Sequence, residues 1–218
     1  MRNPPPSLSR PDPPEGLGDG LTALTPAPLP QAPLDDAQRL ACLRLIRSEN
    51  VGPVTFRELI NHFGGAAAAL EALPELARRG GQRRAPRLCP RDRAEAELAA
   101  AAKAKARPVF TIEPGYPPLL AHVAAPPPMI YARGDLDLLA RPALAIVGSR
   151  NASAAGIKLT RHFATALGEA GFVIVSGMAR GIDAAAHEAA LARGTIAVLA
   201  GGIDVIYPPE HADLYQRI

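Results

Sequence analysis

Tryptophan is absent from this chain, and aromatic residues make up only 4% of its 218 residues. Because few aromatic side chains are available to stack on bases, any binding of nucleic acid should depend mainly on contacts to its phosphate groups. The two cysteines, Cys42 and Cys89, are far apart and offer neither a disulfide framework nor metal-ligand spacing. This sparse use of cysteine is typical of the reducing cytoplasm, where we expect the protein to act.

Long apolar runs are also missing. No run approaches the roughly 20 residues of a membrane-spanning helix, so the sequence predicts a protein without a membrane partner. Hydrophobic residues form 48% and charged residues 21% of the chain, ordinary values for a globular protein. A chain of this length allows one or two domains.

The formal net charge of +3 is unevenly distributed. Residues 78–107 contain ten arginines and lysines against three acids, whereas residues 143–218 contain six of each. The basic segment is either a cationic flank that attracts nucleic acid or a solvated helix face, and the sequence does not decide between them.

Three segments differ in composition. Residues 1–34 form a proline-rich leader that we expect to be disordered, because it has almost no apolar periodicity. Residues 35–107 predict a small helical domain with a basic helix over 91–107 at its end. Residues 108–218 predict an α/β domain.

The helical domain contains residues that typically begin or end helices. Asp35 or Asp36 can cap a first helix, and Gly64 follows a second helix with apolar residues on one face. Gly52-Pro53 separates the two. This arrangement resembles the helix-hairpin-helix and SAM-like domains, although the sequence favours the alternative of a small packing or interaction domain.

Three short apolar runs, 143–147, 172–175 and 195–199, alternate with helical segments and predict a β-α-β-α-β unit with a parallel sheet. Upstream, Val109–Ile112 and Met129–Tyr131 are strand-like and flank a proline-rich connection. In an open α/β sheet, ligands bind at the carboxyl ends of the strands.

Two turns at that edge have an unusual composition. The first contains Gly148, Ser149 and Arg150 before a helix that should begin near Ser153. The second turn contains a similar set: Ser176, Gly177, Arg180 and Gly181. A helix N-terminus stabilises an anion, glycine allows close approach, and serine and arginine add polar contacts. The turns therefore predict two phosphate sites, which suits single-stranded nucleic acid.

Asp183 and His187 follow on one face of the next helix. We interpret Asp183 as a site or supporting residue and His187 as a packed structural histidine. No nucleophile–base set, metal-ligand cluster or dinucleotide or P-loop fingerprint is present, so the sequence predicts no enzyme, metal or cofactor.

The motifs IVGSR (146–150), SGMARGIDAAAH (176–187) and GTIAVLAGGIDVIYP (194–208), together with YPPLL (116–120) and PPPMIYARGD (126–135), resemble the DNA-processing protein A family, DprA/Smf. The resemblance implies a Rossmann-like domain that binds single-stranded DNA without sequence preference. It further implies loading of RecA recombinase during natural transformation, and dimers. It places DNA contacts at Gly148, Ser149, Arg150, Ser176, Gly177, Arg180 and Gly181, with Asp183 nearby.

Members of that family continue well past Ile218, so we expect the α/β domain to be incomplete at its C-terminus. The alternative functions are a Rossmann-like nucleotide phosphoribohydrolase and a non-catalytic interaction module. The hydrolases carry a Pro-Gly-Gly-x-Gly-Thr motif that this sequence lacks.

Overall fold

The computed structural model describes residues 33–81 and 84–218. Residues 1–32 of the predicted proline-rich leader lie outside these ranges. The described chain begins with helices, continues through a two-stranded hairpin and ends in a parallel sheet with its own helices. Its first helices are α1 (Asp36–Ile46), α2 (Pro53–Phe63), α3 (Ala66–Arg79) and α4 (Arg91–Lys103).

The predicted helix ends are confirmed where the sequence contained a capping residue. Asp35 caps α1: its carboxylate accepts from the backbone N–H of Gln38 at 2.8 Å, and the Gln38 side chain accepts in return from Asp35 N. Gly64 ends α2 in the left-handed conformation, with φ of +73°. Glycine adopts this conformation without steric penalty, so the chain reverses there into α3.

The basic helix is shorter than predicted. It ends at Lys103 rather than Arg107, because Lys105 takes a left-handed conformation with φ of +56° and turns the chain. Arg107 then begins a strand, as expected for a residue that precedes a proline. The four-residue error arose because alanine-rich sequence continues past the turn without a glycine to mark it.

Strands β1 (Arg107–Phe110) and β2 (Met129–Ala132) form an antiparallel hairpin, joined by a connection that contains the short helix α5 (Pro118–Ala121). The hairpin packs on the helical domain, since Phe110 is fully buried in one hydrophobic core with Leu43 and Phe56. The core of the helices therefore extends across residue 107 into the following segment.

Glu113 fixes this packing through a buried carboxylate that is 5% exposed. Its Oε1 accepts from Arg39 Nη2 at 2.7 Å and from Leu34 N at 3.2 Å. Its Oε2 accepts from Phe110 N at 3.1 Å. Because a buried charge is tolerated only when it is paired and hydrogen-bonded, this cluster joins α1 to the hairpin in one arrangement.

The predicted β-α-β-α-β unit is confirmed. Strands β3, β4 and β5 are parallel and lie in the order β3-β4-β5. This is a Rossmann-like α/β arrangement, preceded by the helical domain. Its elements are β3 (Ala143–Ala145), α6 (Ala154–Glu169), β4 (Val173–Ser176), α7 (Ile182–Ala190) and β5 (Thr195–Ala197).

Small side chains allow the helices to approach the sheet closely. Ala164 of α6 and Ala186 and Ala190 of α7 are fully buried against Ile174 of β4. After β5, the chain passes through a long loop and a 3₁₀ turn (Pro209–His211) into α8 (Ala212–Arg217). No helix in the described ranges has both the length and the apolarity to cross a bilayer.

Candidate nucleic-acid interface

A cleft of about 650 Å³ lies at the carboxyl ends of the parallel strands. Three loops form it, one after each strand of the sheet. This is the edge at which α/β sheets bind ligands. The lining residues come from the loop after β3 (Arg150 and Asn151), the loop after β4 (177–180) with Asp183, and the loop after β5 (198–201, 205, 207 and 208).

The loop after β3 leads into α6 as predicted. Ser153 is the N-cap, and its hydroxyl accepts from Gly156 N at 3.1 Å. The Ser149 hydroxyl accepts from Asn151 N at 3.1 Å and so tightens the turn. Arg150 lines the cleft, is exposed, and takes part in none of the ion pairs formed within residues 33–81 and 84–218. Its guanidinium is available to a ligand.

Gly148 and Gly181 hold the first two loops together. A Cβ on Gly148 would lie 2.6 Å from Cγ1 of Ile182, at the start of α7. Gly181 has φ of +77°, and a Cβ there would collide with the carbonyl oxygen of Ser149. The structure thus explains both glycines by close packing between the loops. A direct contact of either with phosphate remains a prediction.

Ser176 and Gly177 lie at the end of β4, and only Gly177 lines the cleft. The Ser176 side chain is buried and donates to the carbonyl oxygen of Ile146 at 2.6 Å, which ties β4 to the end of β3. Gly177 lines the cleft, and a Cβ there would lie 2.6 Å from Oδ2 of Asp183. Of these two predicted site residues, Gly177 reaches the cleft and Ser176 supports the loop from beneath.

Asp183 and His187 support the same loop from α7. The Asp183 carboxylate is 8% exposed and accepts from Ala179 N at 3.3 Å. His187 is fully buried, with Nε2 2.5 Å from the carbonyl oxygen of Gly177 and Nδ1 2.7 Å from the hydroxyl of Thr195. Both side chains therefore fix the backbone of the cleft wall.

The hydrogen bonds of His187 determine its tautomer. The carbonyl oxygen of Gly177 can only accept, so Nε2 carries the proton. Burial lowers the pKa of His187, opposed by its hydrogen bond to Gly177 and by the nearby Asp183 carboxylate. The one proton of the Thr195 hydroxyl lies within reach of both Nδ1 of His187, at 2.7 Å, and the carbonyl oxygen of Ile174, at 2.8 Å, and in the neutral form Nδ1 can only accept it. This assignment follows from the network and makes His187 a structural group.

Arg180 lines the cleft beside Arg150 but has a partner. Its Nε lies 2.7 Å from Oε1 of Glu210, and both side chains are about half exposed or more, at 64% and 49%. The neighbouring His211 contacts the carbonyl oxygen of Met178 through Nδ1 at 2.8 Å. The segment after β5 thus holds the loop that contains Arg180 at two points.

The sequence model of the DNA recombination-mediator protein A family matches residues 107–218, and that of the DprA-like N-terminal HHH domain matches residues 36–100. The first match covers half of the chain. The chain belongs to the DNA recombination-mediator protein A family. The resemblance inferred from the sequence motifs is confirmed, and so is the helix-hairpin-helix character of the N-terminal domain.

Other members of the family align with the chain over different lengths. Protein Smf of Synechocystis is 44% identical over 112 residues, which are 49% of this chain and 28% of that protein. DNA processing protein DprA of Streptococcus pneumoniae is 44% identical over 114 residues, 51% of this chain and 40% of that protein. The putative DprA of Mycobacterium tuberculosis is 41% identical over 170 residues, 74% of this chain and 40% of that protein. The chain thus spans two fifths or less of these relatives.

A solved structure of the family agrees with the fold. The crystal structure of DprA from Streptococcus pneumoniae is 39% identical, covers 56% of this chain and 43% of that chain, and gives a TM-score of 0.50. DprA from Helicobacter pylori, whose structure describes a single-stranded DNA binding mode, is 32% identical and covers 52% of this chain and 51% of that chain, with a TM-score of 0.46.

Sequence reasoning missed the third wall of the cleft. The loop after β5 contributes Val198, Val205 and Tyr207, and the following turn contributes Glu210 as the partner of Arg180. The rule that ligands bind at the carboxyl ends of strands applies to β5 as much as to β3 and β4. This loop was overlooked because it contains no arginine or serine, although it belongs to a motif of the DNA recombination-mediator protein A family.

The described part of the basic segment does not reach the cleft, since none of residues 78–81 and 84–107 lines it. Part of its charge is neutralised by acids: Arg84 and Arg87 lie 3.1 and 3.8 Å from Glu49, and Arg91 lies 2.7 Å from Glu95. Hydrogen bonds from Arg87 N and the Arg84 side chain lower the pKa of Glu49. A role for this segment in attracting nucleic acid stays a prediction.

In the described ranges, no three His, Cys, Asp or Glu side chains are grouped in a way that could hold a metal ion. The residues that line the cleft bring polar groups of several kinds: the guanidinium groups of Arg150 and Arg180, the Asn151 amide, the Tyr207 hydroxyl, backbone amides and the Asp183 carboxylate. The guanidinium groups and the amide N–H groups can bind and orient an anion. They are suited to a phosphate-bearing ligand.

Proposed function

We propose that this chain binds single-stranded DNA at the cleft, through phosphate and without sequence preference, as a non-catalytic recombination mediator. The observation that carries the proposal is that Arg150 and Arg180, from successive strand–helix loops, line one cleft. Each lies shortly before the N-terminus of a helix, α6 or α7. Two cationic positions in one groove match a ligand with successive phosphates.

The physics favours phosphate over bases as the main contact. A guanidinium binds phosphate through paired, charge-assisted hydrogen bonds, and a helix N-terminus adds partial positive charge. Phosphate contacts carry no sequence information, which accounts for binding without sequence preference. Residues 143–218 are neutral as a whole, with six basic and six acidic residues, so the attraction comes from the local arrangement at the cleft.

A mediator has to release its strand to a recombinase. Phosphate contacts are weakened by salt, and an open cleft leaves a path for the strand to depart. Because the chain belongs to the DNA recombination-mediator protein A family, we include in the proposal the loading of RecA recombinase during natural transformation, self-association as a dimer, and action in the cytoplasm. Within it, residues 108–218 bind DNA and residues 35–107 form an accessory domain.

The test is oligo-dT binding by the full chain, measured by fluorescence anisotropy at fixed salt. Arg150→Ala should raise Kd by roughly 5- to 150-fold, equivalent to about 1–3 kcal/mol for a lost contact to a charged group. Arg161→Ala is the matched control, because Arg161 is an exposed arginine of α6 that pairs with Glu188 and does not line the cleft. Equal affinities for both variants and the wild type would refute the site.

A second assay addresses the enzymatic alternative. The wild-type chain is incubated with a nucleoside monophosphate, and released base and ribose phosphate are measured by chromatography. The proposal predicts no release above that of the Arg150→Ala variant. Release that depends on Arg150 would assign the cleft to hydrolysis instead.

A further inference from the structure

Tyr207 is the most exposed of the large hydrophobic side chains that line the cleft. It is 66% exposed, and the other large apolar residues of that wall, Val198 and Val205, are 61% and 54% exposed. An aromatic ring and two valines exposed to water in one place form an apolar patch of the kind that marks interaction sites and ligand-binding grooves. These three side chains are not part of the protein core, so their place in the cleft calls for a functional explanation.

The other three tyrosines each have a structural contact. Tyr116 donates to the carbonyl oxygen of Pro127 at 2.8 Å, and Tyr131 donates to Glu97 at 2.9 Å. Tyr215 is buried beneath the guanidinium of Arg133, which lies 4.9 Å from the ring centroid. Tyr207 has no comparable contact: none of the hydrogen bonds formed within the described ranges involves it. Its ring is free to meet a ligand.

The cleft thus has two chemically different walls. Arg150 and Arg180 provide charge, while Tyr207, Val198 and Val205 provide an apolar and aromatic surface. A nucleotide has the same division, with a charged phosphate and a flat base whose faces are apolar. The volume of about 650 Å³ lies within the range of roughly 300–1,000 Å³ found for small-ligand sites.

We propose that Tyr207 is a base-stacking platform, so that the cleft selects nucleotide units whose bases are unpaired and unstacked. This inference rests on the proposed function, because it assumes that the arginines hold the phosphates of the same strand. A duplex keeps its bases stacked on their neighbours and cannot present a free face to the ring. Stacking tolerates every base, so the platform adds strand selectivity without sequence preference.

The experiment compares oligo-dT with an abasic oligomer of equal length, which has the same phosphates and lacks bases. The full wild-type chain should bind oligo-dT about 5- to 100-fold more tightly than the abasic oligomer, the scale of one stacked base. Tyr207→Leu keeps an apolar side chain without a π-face and should lose most of this preference. Tyr207→Phe should keep it.

Leu119→Ala is the control for loss of exposed apolar surface, because Leu119 is 72% exposed and does not line the cleft. It should leave the preference unchanged. If the wild type binds both oligomers equally tightly, the phosphate site stands and the role of Tyr207 is refuted. If it binds neither, the proposed function and this inference both fail.

Intrinsic fluorescence gives a readout that does not depend on affinity. The chain lacks tryptophan, so its emission comes from four tyrosines. Saturating oligo-dT should quench part of the wild-type emission, whereas the abasic oligomer should not. The Tyr207→Phe variant should still bind oligo-dT but lose the quenching. Equal quenching in wild type and Tyr207→Phe would contradict stacking at this residue.

Discussion

The guanidinium of Arg180 lies 2.7 Å from the carboxylate of Glu210, although the two residues belong to different loops of the cleft. Both side chains are half exposed or more, and ion pairs of this kind contribute little to stability, about 0.2–1 kcal/mol. The carboxylate forms the same kind of charged contact with the guanidinium that a phosphate would form. On the proposed function, a phosphate that binds Arg180 would therefore compete with Glu210.

The first prediction follows from this competition. Glu210→Gln should strengthen oligo-dT binding by about two- to fivefold, since it removes the competing charge at the modest cost of an exposed pair. Asp213→Asn is the control, because Asp213 is an exposed acid nearby that pairs with Arg217 outside the cleft. Anisotropy measures both. Equal gains from the two variants would mean that only net charge matters.

The second prediction concerns the packing of the loops. Gly148→Ala should destabilise the protein by about 1–3 kcal/mol, because its Cβ would overlap the Ile182 side chain. Ile182→Ala should relieve part of this loss in the double variant, since the closest atom, Cγ1, is then gone. Gly115→Ala is the control, because a Cβ there meets nothing within 4 Å. Denaturant unfolding gives the free energies, and additive losses would contradict the contact.

The sequence allowed the order of strands and helices to be predicted, along with the helix caps at Asp35, Gly64 and Ser153, because these depend on local periodicity and local hydrogen bonds. Arg150 and Gly177 were also placed correctly at the edge of the sheet. In each case the relevant pattern lies within a few residues of sequence.

What could not be predicted depends on pairs that are distant in sequence. Glu113 meets Arg39 across 74 positions, and Ser176 meets Ile146 across 30. The sequence shows that Ser176 lies at a strand end but not that its hydroxyl turns inward to the neighbouring strand. Similarly, the sequence shows that Tyr207 lies in a loop but not that this loop meets two others to form the cleft.

The third prediction is a dependence of stability on pH that originates at His187. Burial lowers the pKa of this histidine below its ordinary value of 6.5, so the unfolded chain binds more protons than the folded one as the pH falls. The contribution to stability is therefore complete above about pH 6.5 and is lost progressively below it. In the His187→Gln variant, the glutamine amide can still donate to the carbonyl oxygen of Gly177. This variant should be less stable than the wild type at neutral pH, and its free energy of unfolding should change less between pH 5 and 7. If urea unfolding gave the same change of unfolding free energy with pH in the wild type and the variant, the result would contradict this origin.

The fourth prediction separates stability from binding. Glu113→Gln replaces a buried, fully hydrogen-bonded carboxylate and should cost about 2–4 kcal/mol, close to the loss from breaking a buried pair. Glu75→Gln is the control, because the Glu75 side chain is 45% exposed and pairs with Arg78 and Arg79 on the surface of α3. It should change the unfolding free energy by less than about 0.5 kcal/mol. Oligo-dT affinity should be the same in both folded variants, since neither residue lines the cleft. A weaker affinity of the Glu113 variant would show that the helical domain takes part in binding.

The central claim is that Arg150 and Arg180 neutralise phosphates of a single strand in one cleft, and the salt dependence of oligo-dT binding tests it most directly. For single strands, the slope of log K against log salt is about −0.7 for each phosphate neutralised. The Arg150→Ala/Arg180→Ala variant should therefore bind more weakly and have a slope shallower than the wild type by about 1.4. A wild-type slope that the double variant retains would contradict the account, because the phosphates would then be bound elsewhere.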